Sequence, residues 1–119
     1  MSKDILITIV EKEISPGKDI HGMIDIKYIG RFDSIVINSQ IENSNDIFNY
    51  THLNGKKITY PYARLSIFKD DIGTRKILEF IATTKHVPAS RSSNAKFRVT
   101  IIQEHKEISH DVSYIKIFK

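Results

Sequence analysis

Residues 5–26 read ILITIVEKEISPGKDIHGMIDI, and this stretch decides the fold class. Its first half places Ile5, Ile7 and Ile9 on one face of a strand and Leu6, Thr8 and Val10 on the other. Both faces are apolar near the start, as expected where a strand is covered on two sides or changes sheets. Ser15-Pro16-Gly17-Lys18-Asp19 follows. Proline presets φ for the first corner of a turn and glycine accepts positive φ at the second, so this segment predicts a type II turn. Beyond it Ile20, Gly22, Ile24, Ile26 and Tyr28 alternate with His21, Met23, Asp25 and Lys27, the pattern of a half-buried antiparallel strand. The spacing predicts strands over 4–12 and 19–29. Gly22 reads as a missing side chain where the opposite sheet or a neighbouring backbone comes close.

The same grammar continues outward. A strand over 32–42 directs Ile35, Ile37 and Ile41 inward and Val36, Asn38 and Gln40 outward. Residues 47–50 read as a short edge strand. Asn54-Gly55 is the strongest hairpin signal in the chain, because both corners of a type I′ turn need positive φ. Pro61 marks the flanking segments as an edge or a bulge, and the Tyr60-Pro61-Tyr62 segment and the first strand are the expected sheet edges. Asp70-Asp71-Ile72-Gly73 reads as a turn, 75–83 as a strand with Leu78, Phe80 and Ala82 on one face, and 85–94 as an irregular loop. Phe97, Val99 and Ile101 point inward from the strand over 96–104. A last strand over 111–118 separates Ile115 and Ile117 from Tyr114 and Phe118. Seven or eight short strands with frequent turns and no helical periodicity predict an all-β, immunoglobulin-like antiparallel sandwich, one domain over 1–119.

The 119 residues suffice for a core without metal or disulfide staples. Cysteine is absent, which removes disulfides, thiolate zinc sites and cysteine nucleophiles. MSKDILITIV has no signal-peptide pattern, and no apolar run reaches the length of a membrane helix, so a soluble cytoplasmic protein is expected. The net charge of +4 is modest, and acids stand beside most of the lysines.

Leu78-Glu79-Phe80-Ile81, Val87-Pro88-Ala89-Ser90 and Ala95-Lys96-Phe97-Arg98-Val99, taken with the Pro16-Gly17 turn and the Ile20-x-Gly22-x-Ile24-x-Ile26 strand, resemble the amino-terminal arrestin-like domain. That family includes arrestins, the retromer cargo-recognition subunit and bacterial sporulation-control proteins. Its glycine near the end of the third strand is missing here, where Asn43 and Asn45 stand nearby. The resemblance implies an immunoglobulin-like sandwich used as an adaptor or scaffold, with no enzyme activity and no cofactor. No second domain follows within the sequence, so pairing of two copies through an edge strand is one expected route to the family's two-domain geometry.

Chemistry-bearing clusters are sparse. His105 and His110 lie near carboxylates in a hairpin, but their spacing matches no zinc-ligand pattern. Ser90, Ser92 and Ser93 lie near His86 without the strand–elbow–helix context of a serine nucleophile, and read as loop residues. Two basic patches carry rings: Lys56 and Lys57 with Tyr60 and Tyr62, and Lys85, Arg91, Lys96 and Arg98 with Phe97. The expectation is a non-enzymatic module that binds another protein, or itself, by edge-strand pairing. Its candidate partner-binding residues are Tyr60, Tyr62, Lys56, Lys57 and Arg91. The alternative is a basic sandwich that binds nucleic acid or anionic lipid through phosphate contacts.

Overall fold

A computed structural model describes residues 3–119. Among the described residues ten strands occur in chain order: β1 (Ile5–Ile9), β2 (Glu13–Ile14), β3 (Asp19–Ile26), β4 (Ser34–Ile41), β5 (Asn49–Leu53), β6 (Lys56–Tyr60), β7 (Arg64–Phe68), β8 (Ile77–Thr83), β9 (Ser92–Gln103) and β10 (Lys106–Phe118). The first sheet runs β1-β3-β8-β5-β6 and the second β2-β10-β9-β4-β7. Every pairing is antiparallel except β2 with β10. This is the expected all-β, immunoglobulin-like sandwich.

The alternating isoleucines fill the space between the sheets. Ile5, Ile9, Ile20, Ile24, Ile35, Ile37 and Ile101 are fully buried, joined by Phe48, Tyr50, Phe80 and Phe97. Removal of that apolar surface from water is the main force holding the layers together.

The chain crosses between sheets along both flanks. The apolar run after Asp4 does not continue to residue 12. It leaves the first sheet after Ile9 and joins the second as β2, beyond the expected end, so the expected strand is shortened and a further one follows it. On the other flank Pro61, Tyr62 and Ala63 carry the chain from β6, the edge of the first sheet, to β7, the edge of the second.

Several expectations need correction. β5 is interior, between β8 and β6, because the Asn54-Gly55 turn folds β6 outside it. Val36 points outward as expected but is only 2% exposed, since its cross-strand neighbours Ser66 and Thr100 crowd it on that face. Lys69–Ile72 forms a single helical turn, α1, rather than a simple turn. Gly22 is crowded, but neither by the opposite sheet nor by backbone. The Phe80 ring, from the paired residue on β8, lies where a Gly22 side chain would stand.

The Tyr50 hydroxyl and Ser39 Oγ are buried near each other, but neither meets a partner in good hydrogen-bond geometry. Burial pushes the Tyr50 phenol well above its ordinary range, with the Ser39 hydroxyl a smaller opposing influence. A hydroxyl that already lacks a partner contributes little, so Tyr50→Phe should cost less than ~0.5 kcal/mol in urea denaturation. A loss above ~1.5 kcal/mol would show a partnered hydroxyl instead.

Candidate functional site

The two flanks of the sandwich differ in how their strand edges are treated. β1 contacts only β3 within its sheet, so alternate residues turn their backbone groups outward. Bonds from the Val10 N–H to the His21 carbonyl and from the Lys27 N–H to the Asp4 carbonyl set the phase. Ile5, Ile7 and Ile9 are therefore the residues facing away. The Ile7 N–H donates to Asp111 Oδ2 at 3.0 Å, and Lys3 Nζ holds Oδ1 at 2.6 Å. Where β1 departs from β3, the His21 N–H donates to Glu11 Oε1 at 2.7 Å, and His21 Nδ1 lies 2.6 Å from Oε2. Asp111 thus caps the outward N–H at the middle of β1, and Glu11 takes the β3 N–H that β1 leaves when it departs; the capped edge opposes further strand pairing.

The opposite flank carries no such closure. A two-residue type I′ turn at Asn54 (φ 51°) and Gly55 (φ 80°) makes Leu53 and Lys56 the hydrogen-bonded pair. Lys57 and Thr59 then direct their N–H and C=O outward, while the Tyr60 N–H turns inward to Asn49 Oδ1 at 3.1 Å. On β7, bonds from the Ser39 N–H to the Ala63 carbonyl and from the Lys69 N–H to the Asp33 carbonyl leave Arg64, Ser66 and Phe68 facing outward.

The side chains of this flank fall in rows. Ile58 and Tyr60 are half-buried against the core, and Lys56 and Lys57 are exposed. Tyr62, 61% exposed, stands edge-on to Tyr60 with ring centroids 5.1 Å apart. From residue 56 to 69 the sequence holds Lys56, Lys57, Arg64 and Lys69 and no acid. Lys69 is engaged over the Phe32 ring at 4.4 Å.

Four of the five candidate partner-binding residues therefore meet on one flank: Lys56, Lys57, Tyr60 and Tyr62. Arg91 is placed elsewhere, in the loop before β9 in the second sheet, where its carbonyl accepts the Lys119 N–H at 3.0 Å. The basic patch proposed around Phe97 does not assemble as a stacking surface. Phe97 is fully buried against Phe48 and Phe80, and Arg98 is bonded to Glu107 at 2.6 Å and Thr100 at 3.0 Å. The open edge of β7, with exposed Phe68, escapes sequence reading, because only the register shows which of its groups face outward.

A second cluster was half legible in the sequence: Ser93 does meet His86, though from β9 rather than from a loop, and Asp46 was not foreseen. His86 Nδ1 lies 2.7 Å from Asp46 Oδ2, and Nε2 lies 3.2 Å from Ser93 Oγ. The Asp46 carboxyl is held below its ordinary range, chiefly by the hydrogen bond from His86. These are the contacts of a Ser-His-Asp triad, yet the arrangement is inside out. Ser93 is 8% exposed and sits in the inward row of β9 with Ala95 and Phe97. A cavity of about 430 Å³ touches Asp46 and His86 but not Ser93. A nucleophile must present its oxygen to the substrate beside oxyanion donors, and a substrate in this cavity would not meet Ser93 Oγ. The cluster instead ties the loop at Ser44 and Asp46 to β9 across the end of the sandwich. Among the described residues, no three His, Asp or Glu side chains come together to hold a metal ion. No helix among them is long and apolar enough to cross a membrane.

No protein-family model matches the chain, and no curated protein matches it. Solved structures do. The adhesin CfaE of enterotoxigenic E. coli (G168D mutant) is similar at a TM-score of 0.60 and 14% identity, over 96% of this chain and 48% of CfaE. This chain thus spans about half the length of that adhesin. A lipoprotein of Bacteroides thetaiotaomicron matches at a TM-score of 0.59 and 8% identity, over 100% of this chain and 82% of its own. AvmM, which catalyses macrocyclization in alchivemycin A biosynthesis, matches at a TM-score of 0.59 and 6% identity, over 99% and 90%. Such identities show a shared fold and nothing more.

These likenesses overturn the arrestin-like expectation. Among the similar structures are adhesin and lipoprotein domains and the reeler domain of human F-spondin, none of them an arrestin. Several residues of the supposed signature have a local cause. Gly17 takes φ 85° in the turn before β3, Gly22 makes room for Phe80, Val87 is a 59% exposed loop residue, and Ala95, Phe97 and Val99 are core.

Proposed function

We propose that this chain is a non-enzymatic protein-binding module that accepts an extended segment of another protein along β6. The observation that carries this is the asymmetry of the flanks: Asp111 caps the middle of the β1 edge, while the backbone of Lys57 and Thr59 faces solvent on the β6 side. Strand addition supplies main-chain hydrogen bonds for affinity and leaves side-chain rows for specificity. β6 is favoured over β7 because Ile58 and Tyr60 are still half-exposed and gain burial from a neighbour, whereas Leu65 and Ile67 of β7 are already buried.

Self-pairing is disfavoured. A symmetric antiparallel pair made through the outward groups of Lys57 and Thr59 sets Lys57 opposite Thr59, and it brings four lysines and no acid to one edge, which opposes pairing. The partner is therefore a different protein, and sedimentation should give a monomer in the absence of one.

Proline at position 59 removes an outward N–H without removing a bond of the fold. Immobilised wild-type chain should retain partner proteins from the native cell extract that Ser66→Pro also retains and Thr59→Pro loses, with both variants folded like wild type by circular dichroism. A Thr59→Pro variant that retains the same proteins overturns the reading. So does a wild-type chain that retains nothing beyond an unrelated sandwich.

A further inference from the structure

We infer that the segment received by β6 alternates acidic with apolar side chains; this rests on the strand-addition reading above. An added strand turns successive side chains to opposite faces. Its inner row would lie beside Ile58 and Tyr60, which are half-buried at the rim of the core, with Tyr62 edge-on beyond them. That row calls for apolar side chains. Its outer row would lie beside Lys57 and Thr59, with His52, the cross-strand partner of Lys57, one strand further in. Lys56 extends from the same hairpin end. Arg64, beyond the crossover, adds to the positive field, and among the described residues neither lysine nor Arg64 takes part in an ion pair. Glu79, the carboxylate bound through its backbone to the hairpin tip, sits on β8, two strands in from the edge. The outer row therefore meets unneutralised cations, and acidic side chains complement it.

Three capped eight-residue peptides test this against the isotope-labelled full chain: four Val-Glu pairs, four Val-Thr pairs, and four Val-Glu pairs N-methylated at every second residue on the pairing edge. The Val-Glu peptide should shift the Lys57 and Thr59 amides and bind at least ~5-fold more tightly than the Val-Thr peptide at low salt. Lys56→Glu/Lys57→Glu should weaken it ~10-fold while leaving Val-Thr binding unchanged. The N-methylated peptide should not bind. If Val-Thr binds as well as Val-Glu at the same amides, the acidic preference is wrong and strand addition stands. If N-methylation has no effect, or the shifts fall on Arg64, Ser66 and Phe68, pairing with β6 is wrong. Absence of binding by every peptide at millimolar concentration overturns both. A short single-stranded oligonucleotide that binds as tightly as Val-Glu without shifting Lys57 and Thr59 overturns the peptide assignment in favour of a polyanion.

Discussion

Gly22→Ala should lower the stability of the chain by ~3 kcal/mol, read as a large drop in the urea midpoint at unchanged slope. A methyl group at this position would stand less than 3.0 Å from three carbons of the Phe80 ring, so one of the two must move. Phe80 has little freedom. It is 2% exposed, edge-on to Tyr50 at 5.7 Å and 5.9 Å from Phe97, which itself packs on Phe48 at 4.8 Å. Displacing it disturbs the aromatic cluster that joins the two sheets. Overpacking a well-filled core costs ~1–3 kcal/mol or more, and here the obstacle is a ring hemmed in by other rings. Total stabilities of ~5–15 kcal/mol make that loss severe, and Gly22→Val should leave most of the chain unfolded. The double variant Gly22→Ala/Phe80→Leu separates this mechanism from a general intolerance of side chains in β3. The smaller leucine vacates the space, so the pair should be less destabilised than the sum of the single changes by more than ~1 kcal/mol. Additive losses, or a Gly22→Ala cost below ~1 kcal/mol, would place the Phe80 ring elsewhere.

This pair also shows how far the sequence can be read. The period-two isoleucines of 5–26 gave the strand faces correctly, since side-chain direction in a strand is a local property. Asn54-Gly55 gave its hairpin and Pro61 its edge for the same reason: each acts through its own backbone. Gly22 announced a close approach, but its occupant comes from a strand more than fifty residues later, and no local rule names it. The hairpin joining β9 to β10 was misplaced because Glu104 and His105 adopt φ 51° and 65° without a glycine between them. The contact of His86 with Asp46 depends on two loops meeting after the sheets have formed. The arrestin-like reading failed in the opposite way. Its residues were each locally meaningful, as turn, gap and core positions that any β-sandwich can require, and local meaning does not identify a family.

Asp111→Ala should both destabilise the chain and make it self-associate. The carboxylate is 13% exposed and reaches from β10 to the opposite sheet, where it accepts the Ile7 N–H and pairs with Lys3. Removing it strands a part-buried donor and should cost ~2 kcal/mol. Burial raises the Asp111 pKa, but the Lys3 ammonium and the N–H groups of Ile7 and Val112 outweigh it, so the carboxyl lies below its ordinary range. A carboxylate more acidic in the folded state than in the unfolded chain contributes its full stability above the unfolded value of about 4. It loses that contribution as pH falls through the lowered folded value. The acid limb of the stability curve should therefore flatten in Asp111→Asn, which keeps an acceptor for the Ile7 N–H but cannot titrate. The two variants should differ in solution state as well. Alanine uncovers the middle of β1, whose sequence ILITI carries no charge and no proline to oppose pairing, so sedimentation should show dimers or larger species. Asparagine keeps the cap and should leave the chain monomeric. Monomeric behaviour of Asp111→Ala would show that the carboxylate is not what closes this edge, and the contrast between the β1 and β6 flanks would lose its physical basis.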